Sequence, residues 1–153
     1  NAYTTSDTKP DFSFSEERAL MESISYIHER YFEKITIDDL LQIAHMSRTV
    51  YIQKFKDICK MSPAAYINKT RIESASVMLA NTSMSVSEIA YRAGFYDASH
   101  FIKSFEKFYK TSPIEYKKQN KNLIDILSSF WSDDKKGEAR ASPFLFIGQI
   151  IHQ

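Results

Sequence analysis

The stretch Ser85-Val86-Ser87-Glu88-Ile89-Ala90-Tyr91-Arg92-Ala93-Gly94-Phe95-Tyr96-Asp97-Ala98-Ser99-His100-Phe101-Ile102-Lys103-Ser104-Phe105 decides the fold. Ser85 followed three residues later by Glu88 approximates a capping box and opens a short helix. Gly94 suits the left-handed turn that ends it. Asp97 then caps a second helix running to about Phe108, in which Phe101, Phe105 and Phe108 recur at helical spacings and predict an inward stripe. Two helices joined by a short turn make a helix-turn-helix unit.

The unit occurs twice. Shifting the chain by 50 positions lays Phe55, Lys60, Ser62, Pro63 and Tyr66 on Phe105, Lys110, Ser112, Pro113 and Tyr116. Upstream the shift becomes 49, so that Thr36 and Asp39 fall on Ser85 and Glu88, and one extra residue near Tyr96 accounts for the change. A period of this size marks a duplicated supersecondary unit. In the first copy Thr36 caps a helix ending near His45, a less comfortable left-handed residue than glycine. Ser47 caps the next, to about Ile58, with Tyr51, Phe55 and Ile58 inward. Ser62-Pro63 and Ser112-Pro113 each start a third helix, a hydroxyl cap followed by proline in the first turn. The first of these runs from Pro63 to about Leu79 or Ala80, a rod of about 27 Å. The second is expected to be short, ending near Gln119, with Leu123 to Trp131 as one more amphipathic helix. Ahead of the repeat, Leu20, Ile24, Ile27 and Tyr31 predict a leading helix from Phe14 to Tyr31. The fold class is therefore all-α, two tandem helix-turn-helix subdomains bridged by a long linker helix. The expected division is 1–13 linker or cloning remnant, 14–61 first subdomain, 62–81 linker helix, 82–120 second subdomain and 121–153 C-terminal extension. Within that extension Asp133 to Ser142 reads as a charged connector and Phe144 to Ile151 as an apolar run of unassigned role.

Composition agrees. The 153 residues are 43% hydrophobic and hold three glycines and four prolines, which favours helices over a sandwich or barrel. A single cysteine, Cys59, leaves no internal disulfide and no cysteine-rich zinc site. There is no run of about 18 apolar residues and no signal-peptide layout, so we expect a soluble cytoplasmic protein. The first residue is not methionine, and we expect an upstream effector-binding or dimerisation domain. The net charge of +1 is unevenly spread: residues 36–119 hold 12 Lys/Arg against 8 Asp/Glu, an excess compatible with a polyanion partner.

With the stripes inward, the second helix of each copy turns a narrow mixed face outward. In the first copy it carries Arg48, Thr49, Ile52, Gln53 and Lys56; in the second, Ala98, Ser99, Ile102 and Lys103, with Glu106 following. Arg and Gln can pair with purine edges, Thr and Ser can donate or accept, and Ile can meet a thymine methyl. Basic side chains and helix starts hold phosphates, a role expected for Ser47, Lys54, Lys56, Asp97, His100 and Lys107. An ordinary solvated face is the competing reading, and the duplication lowers its weight.

Three strings, Ser85 to Phe95, Ser99-His-Phe-Ile-Lys-Ser-Phe105 and Ser112-Pro113-x-x-Tyr116, resemble the signature of the AraC/XylS family of bacterial transcription regulators. So do Met46-Ser47-x-x-x-Tyr51-x-x-x-Phe55-Lys56 and Arg71-Ile-Glu-Ser-Ala75 in the first copy, and the likeness covers about Ile24 to Lys118. It implies about seven helices, double-stranded DNA as partner, and two recognition helices in adjacent major-groove segments. It also implies an activator that works with RNA polymerase. Base-reading positions by this resemblance are Arg48, Thr49, Ile52, Gln53, Ala98, Ser99, Ile102 and Lys103. The chain departs from the pattern at Lys60 and Lys110, where glycine is usual, and at Glu106, where a basic residue is common.

Other chemistry is thin. His28, His45, His100 and His152 have no metal-ligand spacing, and no phosphate loop, nucleophile elbow or carboxylate pair is present. We expect no enzyme activity, no cofactor, no metal and no membrane partner, and a monomer for the isolated chain. Cys59 beside Lys56 and Lys60 reads as half-buried packing more than as an activated thiol. A helical protein-interaction module stays open as the alternative. It requires a larger apolar face than Ile52 and Ile102 supply.

Overall fold

The computed structural model describes residues 12–132. Residues 1–11 of the expected linker 1–13, the connector at 133–142, the apolar run Phe144 to Ile151 and His152 lie outside the described residues, and the last two linker positions fall in the first helix. Seven helices follow one another: α1 Phe12–Arg30, α2 Ile37–Ala44, α3 Arg48–Cys59, α4 Pro63–Asn81, α5 Val86–Arg92, α6 Ala98–Tyr109 and α7 Pro113–Ser132. The described residues divide into two units between Lys117 and Lys118.

The caps form locally, as their residue types require. Thr36 Oγ1 accepts from the Asp39 amide at 3.2 Å and the Asp39 carboxylate accepts from the Thr36 amide at 2.8 Å, a complete capping box. The Thr36 hydroxyl also donates to the Asp39 carboxylate at 2.7 Å, and that bond, with the one from the Thr36 amide, holds the Asp39 carboxyl below its usual pKa. At the second copy only half the box closes. Ser85 Oγ accepts from the Glu88 amide, whereas the Glu88 carboxylate reaches forward to Arg92 at 3.3 Å. Ser62 and Ser112 cap α4 and α7 ahead of their prolines.

Two cores result. Leu20, Ile24 and Ile27 of α1 close over Leu40, Ala44, Tyr51 and Phe55, while Ile72, Ala75 and Leu79 of α4 pack with Ile89, Ala90, Ala93, Phe95, Phe101 and Phe105. Buried Ser23 spends its hydrogen on the Leu20 carbonyl at 2.7 Å, so the Tyr51 hydroxyl donates to Ser23 Oγ at 3.0 Å. The linker helix α4 packs against α1 and α3 of the first bundle and against α5 and α6 of the second.

Three expectations change. Ile58 and Phe108 are 48% and 42% exposed, and the third inward position is taken by Cys59 and Tyr109. Going from residue 51 to 55 to 59 drifts the stripe toward the returning helix, where Tyr66 and Tyr116 sit, and leaves positions 58 and 108 on the far edge. The third helix of the second copy does not stop at Gln119: α7 runs from Pro113 to Ser132 in one piece. Nothing between Gln119 and Leu123 breaks a helix, because that stretch holds neither proline nor glycine. The leading helix also starts at Phe12 and ends at Arg30, slightly earlier than the Phe14 to Tyr31 expected.

Candidate nucleic-acid interface

Inward Tyr51 and Phe55 seat α3 on the first core, and inward Phe101 and Phe105 seat α6 on the second. From residue 51 to 60 and from 101 to 110 the sequence of buried, half-buried and exposed positions is identical, one residue for each residue 50 away. Two different sequences therefore expose the same positions to solvent.

Arg48, Thr49, Gln53 and Lys56 are exposed along α3, and Ser99, His100, Lys103 and Lys107 along α6. Ile52, Ala98 and Ile102 are half-buried at the edge of the face, each packed against its own core. The charge order differs between the two faces. Lys56 and Asp57 on α3 correspond to Glu106 and Lys107 on α6, so acid and base exchange places.

Several side chains already have partners. Gln53 Nε2 donates to Asp57 Oδ1 one turn on, at 2.9 Å, an exposed contact of a few tenths of a kcal/mol that a stronger acceptor displaces. Asp57 was absent from the sequence-based site, although its four-residue spacing from Gln53 is the signal that finds it. Lys54 lies toward α1, its ammonium 2.7 Å from Glu16, and that contact raises its pKa. It is thus turned away from the row formed by Gln53 and Lys56.

The two helix starts also differ. Asp97 Oδ1 accepts from the His100 amide at 2.7 Å, so its carboxylate is committed to capping α6, and the His100 ring leans edge-on against Phe95. Ser47 stands at the N-cap of α3 with no side-chain cap bond, which leaves the amides of the first turn without an intrahelical or capping acceptor from that hydroxyl. At the other ends, Lys60 and Lys110 take the left-handed conformation themselves, with φ of 57° and 59°. Their amides donate to the Lys56 and Glu106 carbonyls, and the Lys110 ammonium reaches the Lys107 carbonyl at 2.9 Å. His45 takes the same left-handed conformation after α2, with φ 51°.

Among the described residues no three His, Cys, Asp or Glu side chains gather to hold a metal, and no helix is long and apolar enough to cross a membrane. His28 Nε2 shares a hydrogen bond with the Tyr66 hydroxyl at 2.9 Å. Burial pushes the Cys59 thiol pKa up, the reverse of an activated thiol.

Comparison with known proteins points the same way. A helix-turn-helix domain model matches residues 40–119. The uncharacterized HTH-type transcriptional regulator YdeC of Bacillus subtilis strain 168 is 31% identical over 101 residues, which is 66% of this chain and 35% of that protein. The chain spans about a third of the length of the curated relatives it matches. A transcriptional regulator from Chromobacterium violaceum, described as an AraC-type DNA-binding domain-containing protein, superposes with a TM-score of 0.65 at 24% identity, over 70% of this chain and 96% of that one. The DNA-binding domain of AdpA, crystallised with a target DNA, superposes with a TM-score of 0.62 at 22% identity, over 78% and 98%. Both solved structures share the fold.

Proposed function

Since the chain belongs to the AraC-type family of helix-turn-helix DNA-binding transcription regulators, which are not enzymes, we propose that it reads double-stranded DNA with α3 and α6 in two adjacent major-groove segments. The observation that carries this reading is the match in exposure, residue for residue, between 51–60 and 101–110 along α3 and α6. A duplicated reading head without a two-fold axis suits a site of about two helical turns bound by one chain.

Arg48, Thr49 and Gln53 are the main base readers of the first unit, with Ile52 at the edge for a thymine methyl. Ser99 and Lys103, flanked by Ala98 and Ile102, serve the second. Ser47, Lys56, His100, Lys107 and the start of α6 at Asp97 fix the register on phosphates, and Lys54 joins them by leaving Glu16. The first unit discriminates bases more strongly, because Arg48 and Gln53 make paired hydrogen bonds whereas Lys103 is a point charge beside Glu106. The subdomains are 14–61 and 82–120, bridged by 62–81 and followed by an extension, 121–153. The whole protein acts in the cytoplasm as an activator, contacts RNA polymerase and carries an upstream sensor or dimerisation domain, while this chain alone is a monomer. Selection from a random duplex pool at fixed salt tests the reading. It yields a motif with two informative segments about one turn apart; recovery of no motif favours a protein-interaction module instead.

A further inference from the structure

Two reading heads gain most from each other when their separation is set before DNA arrives, and the structure contains a place where the two bundles and the linker helix meet. Arg71, in the middle of α4, donates from Nε to the Tyr31 carbonyl at 2.7 Å and from Nη2 to the Glu33 carbonyl at 2.8 Å. Both carbonyls lie just past the end of α1, where helical partners run out. Ser74, three residues on in α4, donates to the Tyr31 hydroxyl at 2.7 Å. From the second bundle the turn at Gly94 comes against the same spot. A Cβ at Gly94 would stand 2.7 Å from the Tyr31 carbonyl oxygen, 2.9 Å from Phe32 Cα and 3.0 Å from Arg71 Nε. On the other side of α4 the Tyr109 hydroxyl donates to Ser76 at 3.0 Å, tying the end of α6 to the same helix.

We infer that Arg71, seated between the end of α1 and the Gly94 turn, is a positioning residue that fixes the spacing between the two recognition helices and so the half-site separation the protein accepts. The inference rests on the DNA-reading function proposed above. Arg71 touches no base. It acts by holding the α1 end on α4 while Gly94 lets the α5–α6 turn close on the same carbonyl, so that neither bundle can roll about the linker helix alone. A single stem of α4 packing would permit such rolling, because helix packing angles scatter by about 15–20°. A two-carbonyl clasp by a planar guanidinium restricts it.

The spacing of a two-part site is a sensitive gauge, since each inserted base pair turns one segment by about 34–36° relative to the other. The test uses the 153-residue chain, the selected duplex, the same duplex with one base pair inserted between its segments, and a duplex keeping one segment. For wild type we expect the insertion to cost about 30-fold. For Arg71→Met we expect about tenfold weaker binding to the intact site, about threefold loss on insertion, and single-segment affinity within about twofold of wild type. An insertion penalty unchanged from wild type overturns the inference. A second measurement does not use DNA: nitroxides at Asp57→Cys and Lys107→Cys in a Cys59→Ala background report the α3–α6 distance. Arg71→Met should broaden the distribution, and Arg71→Lys, which keeps a charged donor group without the planar fork, should broaden it less. Distributions equal to wild type in both variants overturn the clasp. If wild type binds no duplex, the DNA reading fails and the distance measurement alone decides the clasp. If Arg71→Met does not fold, Arg71→Lys decides it in both assays.

Discussion

Replacing Gly94 by alanine places a methyl group where two main-chain atoms already stand. The residue sits at φ 89°, beyond the left-handed well near 57° that His45, Lys60 and Lys110 occupy. An L side chain at such an angle costs about 1–2 kcal/mol. The new Cβ also meets the Tyr31 oxygen at 2.7 Å and Phe32 Cα at 2.9 Å, and because both belong to the backbone they cannot swing aside. Forced overpacking of this kind adds about 1–3 kcal/mol. The sum is roughly 2–5 kcal/mol, which for a cooperative unit of this size lowers the melting midpoint by about 10 °C or more. Urea unfolding followed by helical circular dichroism, with linear extrapolation for wild type and Gly94→Ala, measures it. A loss under about 1 kcal/mol would mean that the α5–α6 turn is not pressed on the α1 end, and the tight junction described above would be wrong.

Thr36→Ala removes the acceptor for the Asp39 amide and should cost about 0.5–2 kcal/mol in the same assay, with no loss contradicting the capping box. Because the Asp39 carboxyl is held below its ordinary pKa in the folded chain, its stabilising effect is complete above the unfolded carboxyl value near 4 and fades as pH falls through the folded one. The stability gap between wild type and Asp39→Asn should therefore shrink from pH 7 to pH 3, and a gap that widens would refute the sign. Cys59, with its pKa raised by burial, should react with iodoacetamide at pH 8 at least about fivefold more slowly than a free thiol; an equal rate would show an accessible thiolate. With roughly five to seven phosphate contacts, log K for duplex DNA should fall with log salt at a slope of about −4 to −6, and a slope near zero would remove the polyanion reading.

How far the fold was legible follows from the range of the forces involved. The caps at Thr36, Ser62, Ser85, Asp97 and Ser112 depend on neighbours within four residues, so helix starts could be read directly. Helix ends were harder. Lys60 and Lys110 close their helices in a left-handed conformation with no glycine to announce it. Ile58 and Phe108 match the apolar period, and only the direction of the returning helix decides that Cys59 and Tyr109 take the inward place instead. At the site, the exposed row on α3 and α6 was legible from periodicity. The turn of Lys54 toward Glu16 was not, because it depends on how α1 lies across α3. Arg71 was visible only as part of a family-like string, since its partners are main-chain carbonyls that carry no sequence signal.

The claim that both helices read DNA, with unequal weight, is tested most directly by a matrix of binding affinities: wild type, Gln53→Ala and Lys103→Ala against every single base-pair change in the selected site at one salt concentration. The account predicts that Gln53→Ala costs about 1–3 kcal/mol on the preferred site and relaxes preference at one or two base pairs of a single segment, while Lys103→Ala weakens binding evenly across sequences. If Lys103→Ala relaxes one position while Gln53→Ala lowers affinity uniformly, the roles are reversed; if neither alters any base preference, α3 and α6 do not read the site.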